Sequence, residues 1–96
     1  MKIQILDLAE RDIIEGFQFY EKQSSGLGQY FLDSIYTDIE SLYLYYGTHP
    51  QYFGYYRLLA RRFPFAIYYH VKGEFIKIYA VLDCGQNPKT IIKRLN

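Results

Sequence analysis

Five residues in the second half of the chain carry the chemistry to weigh first: Arg57, Arg61, Arg62, His70 and Lys77, with Tyr68 and Tyr79 beside them. An RNA strand can be cut without a metal when one group takes the 2′-OH proton, another protonates the leaving oxygen, and cations hold the charge of the phosphorane between them. The arginines and Lys77 supply the cations, and arginine adds a planar fork of donors and a permanent charge. Among these residues only His70 titrates near neutral pH, so Arg61, His70 and Lys77 form the candidate catalytic set. Tyr68 and Tyr79 offer rings on which unpaired bases stack. The same residues, Arg57, Arg61, Arg62, Lys77, Tyr68 and Tyr79, equally suit a surface that binds an acidic target without chemistry. Arg61-Arg62 also reads as a solvated turn that needs no function.

Other chemistries find less support. His49, His70 and the single Cys84 have no metal-ligand spacing, and Gly26-Leu27-Gly28 is too short for a phosphate-cradling loop, so no metal or cofactor is expected. Cys84 reads as a partly buried thiol, since nothing in its spacing from His70 makes the two a nucleophile and base.

The elements that must position these groups fit in 96 residues, which predicts one domain over 1–96. Half of the residues are hydrophobic and 22% are charged, the balance of a folding chain. No stretch is long enough for a membrane helix, Ile3 to Leu6 is too short for a signal-peptide core, and one cysteine excludes an internal disulfide; the expected location is the cytoplasm. The formal net charge of +1 conceals a division. Residues 1–48 hold three basic side chains against eight acids, a balance of −5, whereas residues 49–96 hold eight against two, or +6. That asymmetry predicts a basic surface for an acidic partner, unless the two halves neutralise each other across the fold. Twelve tyrosines are the other anomaly, six of them between Tyr43 and Tyr56. Packing at a helix end accounts for this cluster more readily than a binding surface does.

Lys2 to Leu6 predicts a short strand with Ile3 and Ile5 on one face. Asp7 and Glu10 predict a capping-box-like start, and Ala9, Ile13, Phe17 and Tyr20 mark the buried stripe of a helix reaching about Gln23. Ser24-Ser25-Gly26 breaks it. A second helix carries Phe31, Ile35, Ile39, Leu42 and Tyr46 on its stripe and ends at Gly47, making an antiparallel helical hairpin. Beyond a loop over Thr48–Gly54 the period becomes two, with strands over Tyr55–Ala60, Phe63–Val71 and Glu74–Asp83 and a turn at Lys72-Gly73. Asp83–Pro88 is a loop, and Lys89–Leu95 a short terminal helix. The prediction is an α+β fold, β-α-α-β-β-β plus that terminal helix, with the hairpin on one face of a mostly antiparallel sheet. Alternation sends Ile76, Ile78, Ala80 and Leu82 toward the helices and leaves Arg57, Arg61, Tyr68, His70, Lys77 and Tyr79 on an open face, with the register of the Tyr55 strand as the step on which this rests.

Over essentially its whole length the sequence resembles the RelE/ParE superfamily of bacterial toxins from type II toxin–antitoxin operons. The residues that carry the resemblance are Ser24-Ser25-Gly26-Leu27-Gly28, Phe31-Leu32, Arg57-Leu58-Leu59, Arg61-Arg62-Phe63-Pro64-Phe65, Ile67-Tyr68-Tyr69 and Ile78-Tyr79-Ala80-Val81-Leu82 ahead of Asn87-Pro88. The long helical hairpin is more similar to the ParE-like branch, whose members inhibit DNA gyrase, than to the compact RelE branch, whose members cleave mRNA on the ribosome. The resemblance implies a cognate antitoxin as partner, with gyrase as the target or, in the alternative, the ribosome and its mRNA; an inactive member is a third option. If the Tyr43–Tyr56 cluster is a surface, an antitoxin segment or a homodimer contact covers it. Two departures bear on the nuclease alternative. Cys84-Gly85-Gln86-Asn87 stands where family members commonly carry a basic residue, and no Tyr or His follows Pro88.

Overall fold

The computed structural model describes residues 1–96. Strand β1 (Lys2–Ile5) leads into helix α1 (Asp7–Gln23), which is followed by α2 (Leu27–Glu40) and a single turn, α3 (Leu42–Tyr45). Strands β2 (Gln51–Tyr52), β3 (Tyr55–Leu59), β4 (Phe65–Lys72) and β5 (Phe75–Asp83) precede the terminal helix α4 (Pro88–Leu95). The five strands lie in the order β1-β5-β4-β3-β2, antiparallel except for β1 beside β5. The fold is α+β, with the helical hairpin on one face, as the patterning predicts.

Local chemistry explains most of the boundaries and several departures. Asp7 and Glu10 do not form the expected capping box; Leu6 holds the cap position without a side-chain bond, and the two acids sit in the first turn, where they favour the helix dipole. The break after α1 is closed by Glu21, whose carboxylate accepts the N–H groups of Gly26 and Gly28 at 3.0–3.2 Å and so serves the open N-terminus of α2. The second helix does not run unbroken to Tyr46. It is interrupted at Ser41, whose hydroxyl donates to the Asp38 carbonyl, and Gly47 follows in a left-handed conformation at φ 78°. The loop before Tyr55 contains β2, too short to register as a period-two pattern. The last hairpin turns at Gly73-Glu74, one residue later than expected, because Lys72 still pairs with Phe75 and Gly73 supplies the positive φ.

The largest correction concerns β5. Tyr68 pairs with Ala80 and Tyr69 with Ile78, leaving Tyr79 as an extra residue in a β-bulge. Past the bulge the facing reverses. Ile76 and Ile78 pack under the helices together with Val81, while Ala80 and Leu82 turn to the opposite face. The helix-side core is built from Ala9 and Ile13 of α1, Phe31, Ile35 and Ile39 of α2, Leu42 of α3, and Phe65, Ile67 and Tyr69 of β4. A second, smaller core on the other face packs Ala66, Tyr68, Ala80 and Leu82 under Ile91 and Leu95 of α4. The sheet face expected to be open is therefore half covered.

One buried ion pair joins the two sides around the edge of β5. Asp12 of α1 accepts the Val81 N–H at 3.0 Å and receives both guanidinium nitrogens of Arg94 at 2.7 and 2.8 Å. β1 extends only as far as Ile78, so Asp12 serves a sheet-edge donor that no strand reaches. The carboxylate in turn raises the Arg94 pKa, chiefly by hydrogen bonding. Arg94 is the only one of the eight basic side chains in the second half that is ion-paired, so the two halves do not neutralise each other by contact.

Candidate functional site

β4 supplies the central row of the site because its even-numbered side chains, Ala66, Tyr68 and His70, point away from the helices. β3 runs antiparallel beside it with Arg57 opposite Tyr68. Across β5, Lys77 lies opposite His70. The register on which the face assignment rested thus places Arg57, Tyr68, His70 and Lys77 on one surface, and the bulge keeps Tyr79 there as well.

This surface has two neighbouring parts, about 7 Å apart along β4. The first is partly buried, with Tyr55 inside the smaller core and only Tyr79 well exposed. His70 packs against Tyr55 with ring centroids 4.2 Å apart and meets Tyr79 edge-on at 5.7 Å, while Tyr55 and Tyr79 approach to 4.8 Å. Burial, then the nearby Lys72 charge, lower the His70 pKa, which keeps the imidazole neutral at neutral pH and able to accept a proton. Burial raises the Tyr55 pKa, helped by the neighbouring Tyr79 hydroxyl. Sequence reasoning overlooked Tyr55, although its two-residue offset from Arg57 on the same strand was the available signal.

The second part is a cavity of about 150 Å³ between the sheet and α4, lined by Tyr52, Phe53, Arg57, Tyr68 and Cys84 together with Pro88 and Ile91. The Arg57 guanidinium lies 4.4 Å from the centre of the Tyr52 ring, a cation–π contact, and beside the Tyr68 hydroxyl. Tyr68 is only 2% exposed, so it forms the floor of this cavity and cannot stack an incoming base as expected. Burial raises its pKa despite the Arg57 charge, and raises that of the Cys84 thiol in the same way. Cys84 is nevertheless exposed, not partly buried, and a thiol held protonated is a poor nucleophile.

Arg61 and Arg62 stand apart. They lie beyond the end of β3, both exposed, and the Arg61 backbone N–H is tied to the Asp38 carboxylate of α2 at 3.1 Å. The expected single basic set is therefore divided. Arg57 and Lys77 flank the aromatic surface, and the Arg61-Arg62 pair marks the turn at its far end. No three His, Cys, Asp or Glu side chains are gathered where they could hold a metal ion. No helix is long and apolar enough to cross a membrane.

The assembled surface can bind anions and stack planar groups, and His70 can take up a proton. A proton donor is harder to find, since burial pushes up the pKa of both Tyr55 and Tyr68.

No protein-family model and no curated protein matches the sequence. Among solved structures, the fold is similar to a chain of one described as "Chromosomal ParDE TA system from P. aeruginosa", with a TM-score of 0.73 at 20% identity, over 84% of this chain and 92% of that one. The architecture expected from the RelE/ParE resemblance is thus the architecture observed.

Proposed function

We propose that this chain is the toxin of a type II toxin–antitoxin pair, held silent by a cognate antitoxin, and that it acts in the cytoplasm as a ParE-like inhibitor of DNA gyrase. The observation that carries this reading is the shared fold with a chain of the P. aeruginosa ParDE toxin–antitoxin structure over most of both molecules. The site chemistry favours a binder over a nuclease. Arg57, Lys77 and the exposed Arg61-Arg62 turn present cations to an acidic partner. Proton transfer at two oxygens, by contrast, would rest on His70 with no good acid beside it. Extended acidic segments that fold on binding suit such a surface.

Induced expression of the chain, with and without the product of the adjoining reading frame, tests the toxin reading. Growth arrest relieved by the co-expressed neighbour is expected, and a harmless chain that captures no neighbour-encoded protein overturns it. Supercoiling by purified gyrase and primer extension on a translated message then separate the mechanisms. Inhibited supercoiling without cuts is expected. Codon-positioned cuts that vanish in His70→Ala would replace the binder with a ribosome-dependent endoribonuclease.

A further inference from the structure

The cavity between the sheet and α4 holds two hydrogen-bond donors with nothing to receive them. Arg57 is its one charged side chain, and it forms no ion pair. Tyr52, from the tyrosine cluster expected to pack at a helix end, lies instead against the guanidinium in a cation–π contact that supplies no acceptor oxygen. Tyr68 forms the floor at 2% exposure, and its hydroxyl makes no hydrogen bond to an acceptor, because the guanidinium beside it can only donate. Buried donors are normally paired, so two left open at one place call for a ligand. At the rim, Phe53 and Gly54 make the two-residue turn between β2 and β3, with φ 51° and 84°. Positive φ at both positions favours Asn-Gly, and Phe53 is the only residue other than glycine with positive φ in the chain. That strained position puts an aromatic ring on the cavity wall.

We propose that this cavity is a binding site for a monocarboxylate on a ring-sized apolar body, its carboxylate received by Arg57 and the Tyr68 hydroxyl. The site is independent of the toxin assignment. Charge selects the head group. One guanidinium balances one carboxylate and meets its two oxygens with a fork of donors, whereas a phosphoryl group brings about two charges to a pocket with a single cation. Size and polarity select the body. A cavity of about 150 Å³ admits a benzene ring, and Tyr52, Phe53, Pro88 and Ile91 give it apolar walls. A free small acid and the terminal residue of a polypeptide ending in an apolar side chain present this same group.

Phenylacetate and N-acetyl-glycyl-phenylalanine probe the two sources, each titrated into the intact chain to about 10 mM, above the roughly millimolar affinity that so few atoms can supply. Protein NMR shifts should saturate at Tyr68, Cys84 and Ile91. The Cys84 thiol, exposed and the only one in the chain, should be alkylated more slowly once the cavity is filled. Saturation by phenylacetate assigns a free acid, and saturation by the dipeptide alone assigns a chain terminus. Acetate, phenylacetamide and inorganic phosphate should each bind at least about tenfold more weakly, the first lacking the ring, the second the charge and the third the ring and the single charge. Arg57→Leu should abolish the preference for phenylacetate over phenylacetamide. Phe53→Asn should weaken binding while raising the thermal midpoint, an opposition that a purely structural residue would not show. Failure of both acids to saturate the wild type overturns the proposal. So does equal binding of phenylacetamide, which would leave only an apolar crevice, or a preference for the acid that survives in folded Arg57→Leu.

Discussion

His49 and His70 are both folded into surroundings that penalise their charged forms, His49 by burial against Tyr69 and His70 by burial with the Lys72 charge nearby. Each has a folded pKa below its unfolded value of about 6.5, so below that pH the unfolded chain binds more protons than the native one. Stability should therefore be highest above pH 6.5 and fall as pH drops from there toward the folded values. Urea unfolding midpoints between pH 5 and 8 check this. The decline should flatten when both histidines are replaced by Gln; an unchanged slope would show that other groups cause it. In the sequence the two histidines looked alike, each a lone imidazole. Tertiary contacts separated them into a partner of Tyr69 beside the α3–β2 connection and a member of the Tyr55–Tyr79 aromatic cluster on the α4 side of the sheet.

At the scale of elements, the helical hairpin depends on two glycines that mark close contact between α1 and α2. A Cβ added to Gly16 would stand 2.5 Å from the ring of Phe31, and one added to Gly28 would stand 2.8 Å from both the ring and the carbonyl oxygen of Phe17. Alanine normally favours a helix over glycine by about 1 kcal/mol, but here it must force apart a packed interface at a cost of roughly 1–3 kcal/mol. Gly16→Ala and Gly28→Ala should both lower the thermal midpoint, with Gly28→Ala the worse, since backbone yields less readily than a ring. Circular dichroism melts decide, and a midpoint raised by either change would mean that the hairpin is loosely packed. The stripes of Ala9 to Tyr20 and Phe31 to Leu42 were legible from spacing because every turn repeats the same burial. The glycines between them were not, because a missing side chain has no periodicity.

The whole molecule divides its cations between two environments, and substitutions should separate them. Arg61→Ala with Arg62→Ala removes exposed charge at a turn and should cost less than about 0.5 kcal/mol in stability. Arg57→Ala should cost about 1–2 kcal/mol, through the lost contact with Tyr52 and the Tyr68 hydroxyl left beside it. On the proposed function, both variants should weaken target or antitoxin binding, and growth inhibition by the two folded proteins should fall. If toxicity and antitoxin capture survive both sets of changes, the basic side chains are solvated surface and the interface lies elsewhere.

By itself the sequence determined the α+β class, the order of the elements, the helical hairpin and the placing of Arg57, Tyr68, His70 and Lys77 on one side of the sheet. Each of these follows from local periodicity or from the alternation of neighbouring residues, and both are written along the chain. Only the tertiary structure decided where alternation stops, since the bulge at Tyr79 arises from the pairing of β4 with β5 and sends Ala80 and Leu82 under α4. It also decided that Tyr68 is the floor of a cavity, that Asp12 and Arg94 join α1 to α4, and that the tyrosines of α3 face outward. These depend on residues far apart in the chain meeting at one place, and no local pattern encodes such a meeting.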